Sequence, residues 1–142
     1  AGGALHGAAG LEPGAVIGTG CEAEIVVASD PTRVIKRFFD PVATRGRADR
    51  EARALRLLGR SSPGLCAGVR FPRLADHRSD SGEIEMERAR GETLADSLLH
   101  ADIPDRAPRA IANGLVHYSD VIGEAYHDFA PVNVMWDVDR EE

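Results

Sequence analysis

Cysteine is scarce: Cys21 and Cys66 are the only two in 142 residues. They lie far apart and in no Cys-x-x-Cys or Cys/His ligand spacing, which argues against a disulfide framework or a cysteine metal site. A reduced, cytoplasmic setting is expected. Long apolar runs are also lacking, and none approaches the roughly 18 residues a membrane-spanning helix needs. The Gly/Ala-rich start lacks the basic and strongly apolar zones of a signal peptide. Nor is there an excess of positive charge. Seventeen basic residues are scattered among 23 acidic ones, for a net charge of −6. No basic stripe tracks a phosphate backbone, so no nucleic acid partner is expected.

What is present suits a globular chain, with 43% hydrophobic and 28% charged residues, enough for one domain or two small lobes. Residues 1–13 read as a flexible leader. Three β-rich runs follow: Ala15–Ile17, Glu24–Val27 and Arg33–Phe39. They are separated by Gly18-Thr19-Gly20 and Ser29-Asp30-Pro31, which predicts a three-stranded antiparallel meander. Ala48, Ala52, Leu55 and Leu58 form one stripe of a helix over 48–58 that Gly59 is expected to stop, with Glu51 on its apolar side. Phe71–Ala75 and Glu83–Met86 read as two further strands, joined by a turn over Arg78–Gly82. The fold class is α+β, with a five-stranded antiparallel sheet and one inserted helix. A second helix opens at Thr93 with a capping-box spacing, a third runs from Ala107 to about Ile122, and Val134–Trp136 is a short strand.

Gly18-Thr19-Gly20 lies between two strands, which suits neither a dinucleotide fingerprint nor a Walker loop. It fits an ordinary hairpin turn or a glycine loop covering phosphates. Lys36 closes the third strand, 16 residues beyond Gly20. It reads either as a solvated strand-end lysine or as a cation that reaches phosphates. Glu51, on the inward stripe of the next helix, would be costly there unless paired, and supplies the counter-charge. In Tyr126-His127-Asp128-Phe129-Ala130-Pro131-Val132-Asn133, an aspartate is followed by a proline three residues on and an asparagine five residues on. An apolar strand comes next. His6, His77, His100 and His117 share no ligand-like spacing and read as solvated or packed histidines.

From about Val16 to Asp137 these features, in order, resemble the protein-kinase-like superfamily. Ile17–Glu24 and Met86–Leu94 look most like its compact atypical members: RIO-like kinases, the small kinase of the tRNA threonylcarbamoylation machinery, lipopolysaccharide kinases and aminoglycoside-type phosphotransferases. The resemblance implies a lobe over 14–86 and a hinge with a partial, mainly helical second lobe over 87–142. It implies ATP and Mg2+ as cofactors, and transfer of the γ-phosphoryl to an unidentified hydroxyl-bearing substrate. Carried over by motif, Gly18 and Gly20 would cover the phosphates, Lys36 would contact them, and Glu51 would hold Lys36. Asp128 would be the base and Asn133 the magnesium ligand. Met86 would back the adenine, with the Glu87 carbonyl and Ala89 amide at its edge. Ile17, Ile25 and Val34 above it, and Met135 below, would sandwich the ring.

The pattern departs from the family at Ala23, which replaces the third loop glycine, at Tyr126 and His127, and at Ala130, where many protein kinases have lysine. Such enzymes also place a second metal-holding aspartate beyond a strand, turn and strand after Asn133. Asp137 and Asp139 come too early and read as turn residues, and the sequence stops at Glu142. A fragment of an enzyme, or a nucleotide-binding pseudokinase, is therefore expected as the alternative to an intact kinase.

Overall fold

The computed structural model describes residues 12–61, 65–66, 69–93, 105–124 and 135–136. The chain divides into two compact units, Ala1–Arg56 with Pro72–Arg88, and Leu57–Phe71 with Ala89–Glu142. The class is α+β, as the sequence pattern predicts.

The first unit is built on a five-stranded sheet: β1 (Val16–Thr19), β2 (Ala23–Val27), β3 (Arg33–Phe38), β6 (Leu74–Arg78) and β7 (Glu83–Glu87). The strand order is β1-β2-β3-β7-β6, and every neighbouring pair is antiparallel. The β1–β3 meander expected from the sequence is present. The last two strands differ in detail. β6 begins at Leu74, not Phe71, because Pro72 has no N–H to give a ladder. Arg78 belongs to the strand, leaving the turn to Ser79–Gly82. Gly82 has φ +65°, which its turn requires.

Helix α1 (Arg45–Ser61) follows β3. Asp40 organises its approach: its side chain accepts from the Ala43 amide and its carbonyl from the Thr44 amide. The helix outruns the expected 48–58 at both ends. Gly59 does not stop it, because one glycine in a last turn costs only about 1 kcal/mol. Ala48, Ala52 and Leu55 pack with Ala23, Val34, Phe38, Ile84 and Met86 in the core of this unit. Ala48, Ala52 and Ile84 are fully buried.

Strand periodicity sets the sheet's other face. Glu24, Arg37 and Glu83 stand side by side there, and Arg78 reaches both Glu83 and Asp76. The hydrogen bond to Glu83, above all, raises the already high pKa of Arg78.

In the second unit, β4 (Leu65–Cys66) pairs with β5 (Val69–Arg70), and β8 (Glu92–Thr93) with β9 (Met135–Trp136). The first of these ladders was not foreseen, since two-residue strands leave no periodicity to read. Helix α2 (Ala107–Ile122) matches the third expected helix. It starts with proline in its first turn and ends at Gly123, whose φ of 86° forms a left-handed cap with its N–H bonded to Ser119. The helix expected to open at Thr93 lies beyond the described residues apart from Thr93 itself, which is in β8. Val134 is also outside them.

Candidate functional site

The site grows from one row across the sheet. Ile25 of β2, Lys36 of β3, Ile84 of β7 and His77 of β6 are successive register partners. Alternation along β3 puts Lys36 on the same face as buried Val34 and Phe38, under α1. An ammonium placed there needs a partner. Its Nζ donates to both carboxylate oxygens of Glu51, at 3.0 and 2.9 Å. It also lies 5.3 Å from the Phe38 ring centroid, a cation–π distance. The two side chains keep 24% and 34% of their exposure, so the ammonium is held yet still reachable.

Lys36 is, in addition, the only lysine of the chain, the other basic residues all being arginine. That compositional signal passes unnoticed in a reading by motif. Lysine presents a compact point charge with three rotatable donors, where arginine presents a planar fork.

The β1–β2 turn is closed by a hydrogen bond from the Gly20 amide to the Ala23 carbonyl, 2.8 Å. Neither Gly18 nor Gly20 has a positive φ. A Cβ on Gly18 would meet Ile25 at 3.6 Å, and one on Gly20 the Ala23 carbonyl at 3.7 Å, both ordinary contacts. The fold itself therefore demands glycine at neither position.

The remaining predicted residues divide by location. Ile17 and Ile25 are half-buried against the core, whereas Val34 and Met86 are buried within it, as partners across β3 and β7. Glu87 ends β7, and its amide donates to the Arg73 carbonyl. In the second unit, Ala89 is exposed and Met135 pairs with Thr93. Asp128 and Asn133, with the rest of the loop over 126–133, lie outside the described residues, as do Asp137 and Asp139.

One polar cluster was missed. Asp49, two residues before Glu51, faces β6 instead of β3. Its Oδ1 accepts from Ser79 Oγ at 2.8 Å and lies 2.9 Å from His77 Nε2. The His77 Nε2 lies close to that oxygen without making a hydrogen bond. His77 is thus packed, with Arg56 Nη2 3.5 Å from its Nδ1. Nothing in the sequence spacing points to it, because the pairing of His77 with buried Ile84 is a property of the folded sheet. Among the described residues no group of three or more His, Cys, Asp or Glu side chains suits a metal ion. No helix among them is long and apolar enough to cross a membrane.

No protein-family model matches the chain, and no curated protein matches it significantly. Among solved structures the chain is similar to WbdD, determined in a co-crystal with the kinase inhibitor LY294002. Identity is 23%, the TM-score is 0.46, and the match covers 87% of this chain but 29% of that one. The chain thus spans less than a third of the protein it matches.

Proposed function

We propose that this chain is the ATP-binding part of a protein-kinase-like phosphotransferase, which moves the γ-phosphoryl of ATP to a hydroxyl group of an unidentified acceptor. The observation that carries the reading is the pairing of the sole lysine with Glu51 beside the glycine turn. The order of the five strands, with a helix after the third, suits the same reading.

The residues fit a nucleotide's phosphates. Lys36 offers a cation fixed by Glu51, which keeps the ammonium from collapsing elsewhere and leaves donors for phosphate oxygens. Gly18 and Gly20, which local backbone and packing do not require, keep the turn bare so that amides can approach an anion closely. Ile17 and Ile25 offer half-buried apolar surface to a flat base. Asp128 would orient the acceptor hydroxyl and take its proton. Asn133 would hold magnesium, whose chemistry, when bound, is to neutralise phosphate charge. A cytoplasmic setting, ATP and Mg2+ as cofactors, and the absence of a nucleic acid partner belong to the same proposal.

Calorimetry with ATP and Mg2+ on the wild type and on Lys36→Met tests the binding step, with a loss of about tenfold or more in affinity expected for one charge-assisted contact. Equal affinities would sink the reading. Phosphoryl transfer that vanishes in Asp128→Asn identifies an enzyme. Binding without turnover in the wild type fits a nucleotide-binding part of an enzyme or the pseudokinase alternative.

A further inference from the structure

Helix α1 rests on the sheet through Ala48, Ala52 and Leu55. Two of these three are alanines. Alanine methyls interdigitate little with a sheet, and Leu58, the bulkiest fully buried side chain of α1, lies outside this core cluster, so these contacts fix the helix's place on the strands only weakly. Polar contacts at its flanks therefore bear on where α1 lies, and Glu51 reaches Lys36 only if α1 is correctly placed.

The row through Ile84 supplies that control. Lys36 and His77 are its two cross-strand neighbours on the helix-facing side. Two strand spacings separate them, about 9.6 Å, which is close to the width of a helix. A helix lying over Ile84 therefore has one flank above Lys36 and the other above His77. α1 carries one carboxylate on each flank: Glu51 to Lys36, and Asp49 to His77 and Ser79.

We infer that Asp49, His77 and Ser79 form a positioning clamp that sets the placement of α1 and thereby holds Glu51 on Lys36. The clamp is local, with a mostly buried histidine at its base and a half-exposed Asp49 carboxylate above it. Only 10% of the His77 side chain is exposed. Arg56, one residue type of opposite charge to Asp49 on the same helix, closes the other side of the ring, and the His77 amide is tied to the Asp76 carboxylate at 2.8 Å. Ser79 opens the turn between β6 and β7, so the clamp ties α1 to the edge hairpin. Asp49 and its partners are positioning residues, acting on the Lys36 ammonium through α1. Their bearing on a nucleotide rests on the function proposed above; the geometry does not.

Because Lys36 is the only lysine, the clamp can be read without any ligand. An amine-acylating reagent labels Lys36 and the chain's amino terminus alone, and peptide mass spectrometry separates the two. An ammonium gripped by two carboxylate oxygens reacts slowly. Glu51→Ala sets the rate of the released lysine. Asp49→Ala and His77→Ala are expected to accelerate Lys36 labelling several-fold, most of the way to that rate, with the amino terminus unchanged. Asp49→Asn keeps an acceptor oxygen and is expected to return close to the wild-type rate, a rescue that mere support of the fold would not produce. Ser79→Ala removes one half-buried hydroxyl from the hairpin turn and gives a partial acceleration even if Asp49→Ala folds poorly, with helix content followed by circular dichroism. Wild-type labelling in folded His77→Ala and Ser79→Ala, beside an accelerated Glu51→Ala, would overturn the inference. Failure of ATP to bind would sink the proposed function and leave these rates untouched.

Discussion

Lys36 and Glu51, 15 residues apart, meet with the ammonium shared between both carboxylate oxygens. The pair is partly exposed, so its net worth to folding is modest, roughly 1 kcal/mol or less after solvent screening. Its size argues that stability is not the main reason for it. Glu51→Gln is expected to lower stability to urea by about 0.5–1 kcal/mol while weakening ATP binding by about tenfold, since the lysine loses the charge that orients it. Urea melts and calorimetry on one preparation separate the two effects.

Gly82 makes a contrasting case, in which the fold does demand glycine. Its φ is +65°, and a Cβ would stand 2.9 Å from Pro41 Cβ. Neither the turn nor a proline ring can yield cheaply. Gly82→Ala is expected to destabilise the first unit by about 2 kcal/mol, combining left-handed strain with the clash. The urea midpoint falls without a change in slope if the native structure is kept. Gly18→Ala, which meets only ordinary contacts, is expected to leave the midpoint nearly unchanged and to weaken ATP binding instead.

The strands and α1 were legible because their burial follows period 2 and period 3.6 in runs long enough to read. The Lys36–Glu51 pair was legible for a related reason: a carboxylate on an apolar stripe calls for a cation. The Asp49 cluster was not. Asp49 lies at the margin of the stripe, and nothing in spacing alone says that a margin residue finds a histidine 28 positions later. The β4–β5 ladder is too short to leave a pattern. The end of α1 was misjudged because glycine weakens a helix by an amount that a helix anchored elsewhere tolerates. The loop with Asp128 and Asn133 rests on its sequence motif.

Asp30 gives the chain a local dependence on pH. Its carboxylate accepts from the Thr32 hydroxyl at 2.6 Å and the Thr32 amide at 2.9 Å, in the turn between β2 and β3. The hydroxyl contact first, then the amide and nearby Arg33, hold its pKa below the ordinary value. A depressed carboxylate stabilises the fold above its unfolded pKa, and that contribution is lost as pH falls through the folded one. A carboxyl-detected NMR titration is expected to place the Asp30 midpoint below that of a free aspartyl peptide. In Thr32→Val the midpoint rises toward the peptide value, since the first and largest cause is removed.

Two helical glycines are expected to respond in opposite directions to the same substitution. In α1, Gly59 has nothing within 4 Å of where a Cβ would stand, so Gly59→Ala gains helix propensity alone, about 0.5–1 kcal/mol. In α2, buried Gly114 lies against Val69 of β5, and a Cβ would come within 3.0 Å of both Val69 γ-methyls and 3.1 Å of its Cβ. A β-branched side chain is stiff at χ1, and with both methyls in contact no rotation clears the space. The overpacking costs about 1–3 kcal/mol, which exceeds the propensity gain. Gly114→Ala should therefore lower stability by about 1 kcal/mol net, read as a fall in urea midpoint. In a Val69→Ala background the two methyl contacts are gone and only the 3.1 Å approach to the residue 69 Cβ remains, so the same substitution should cost clearly less than it does in the wild type. A stabilising Gly114→Ala in the wild-type background would mean that β5 moves away from α2 without cost.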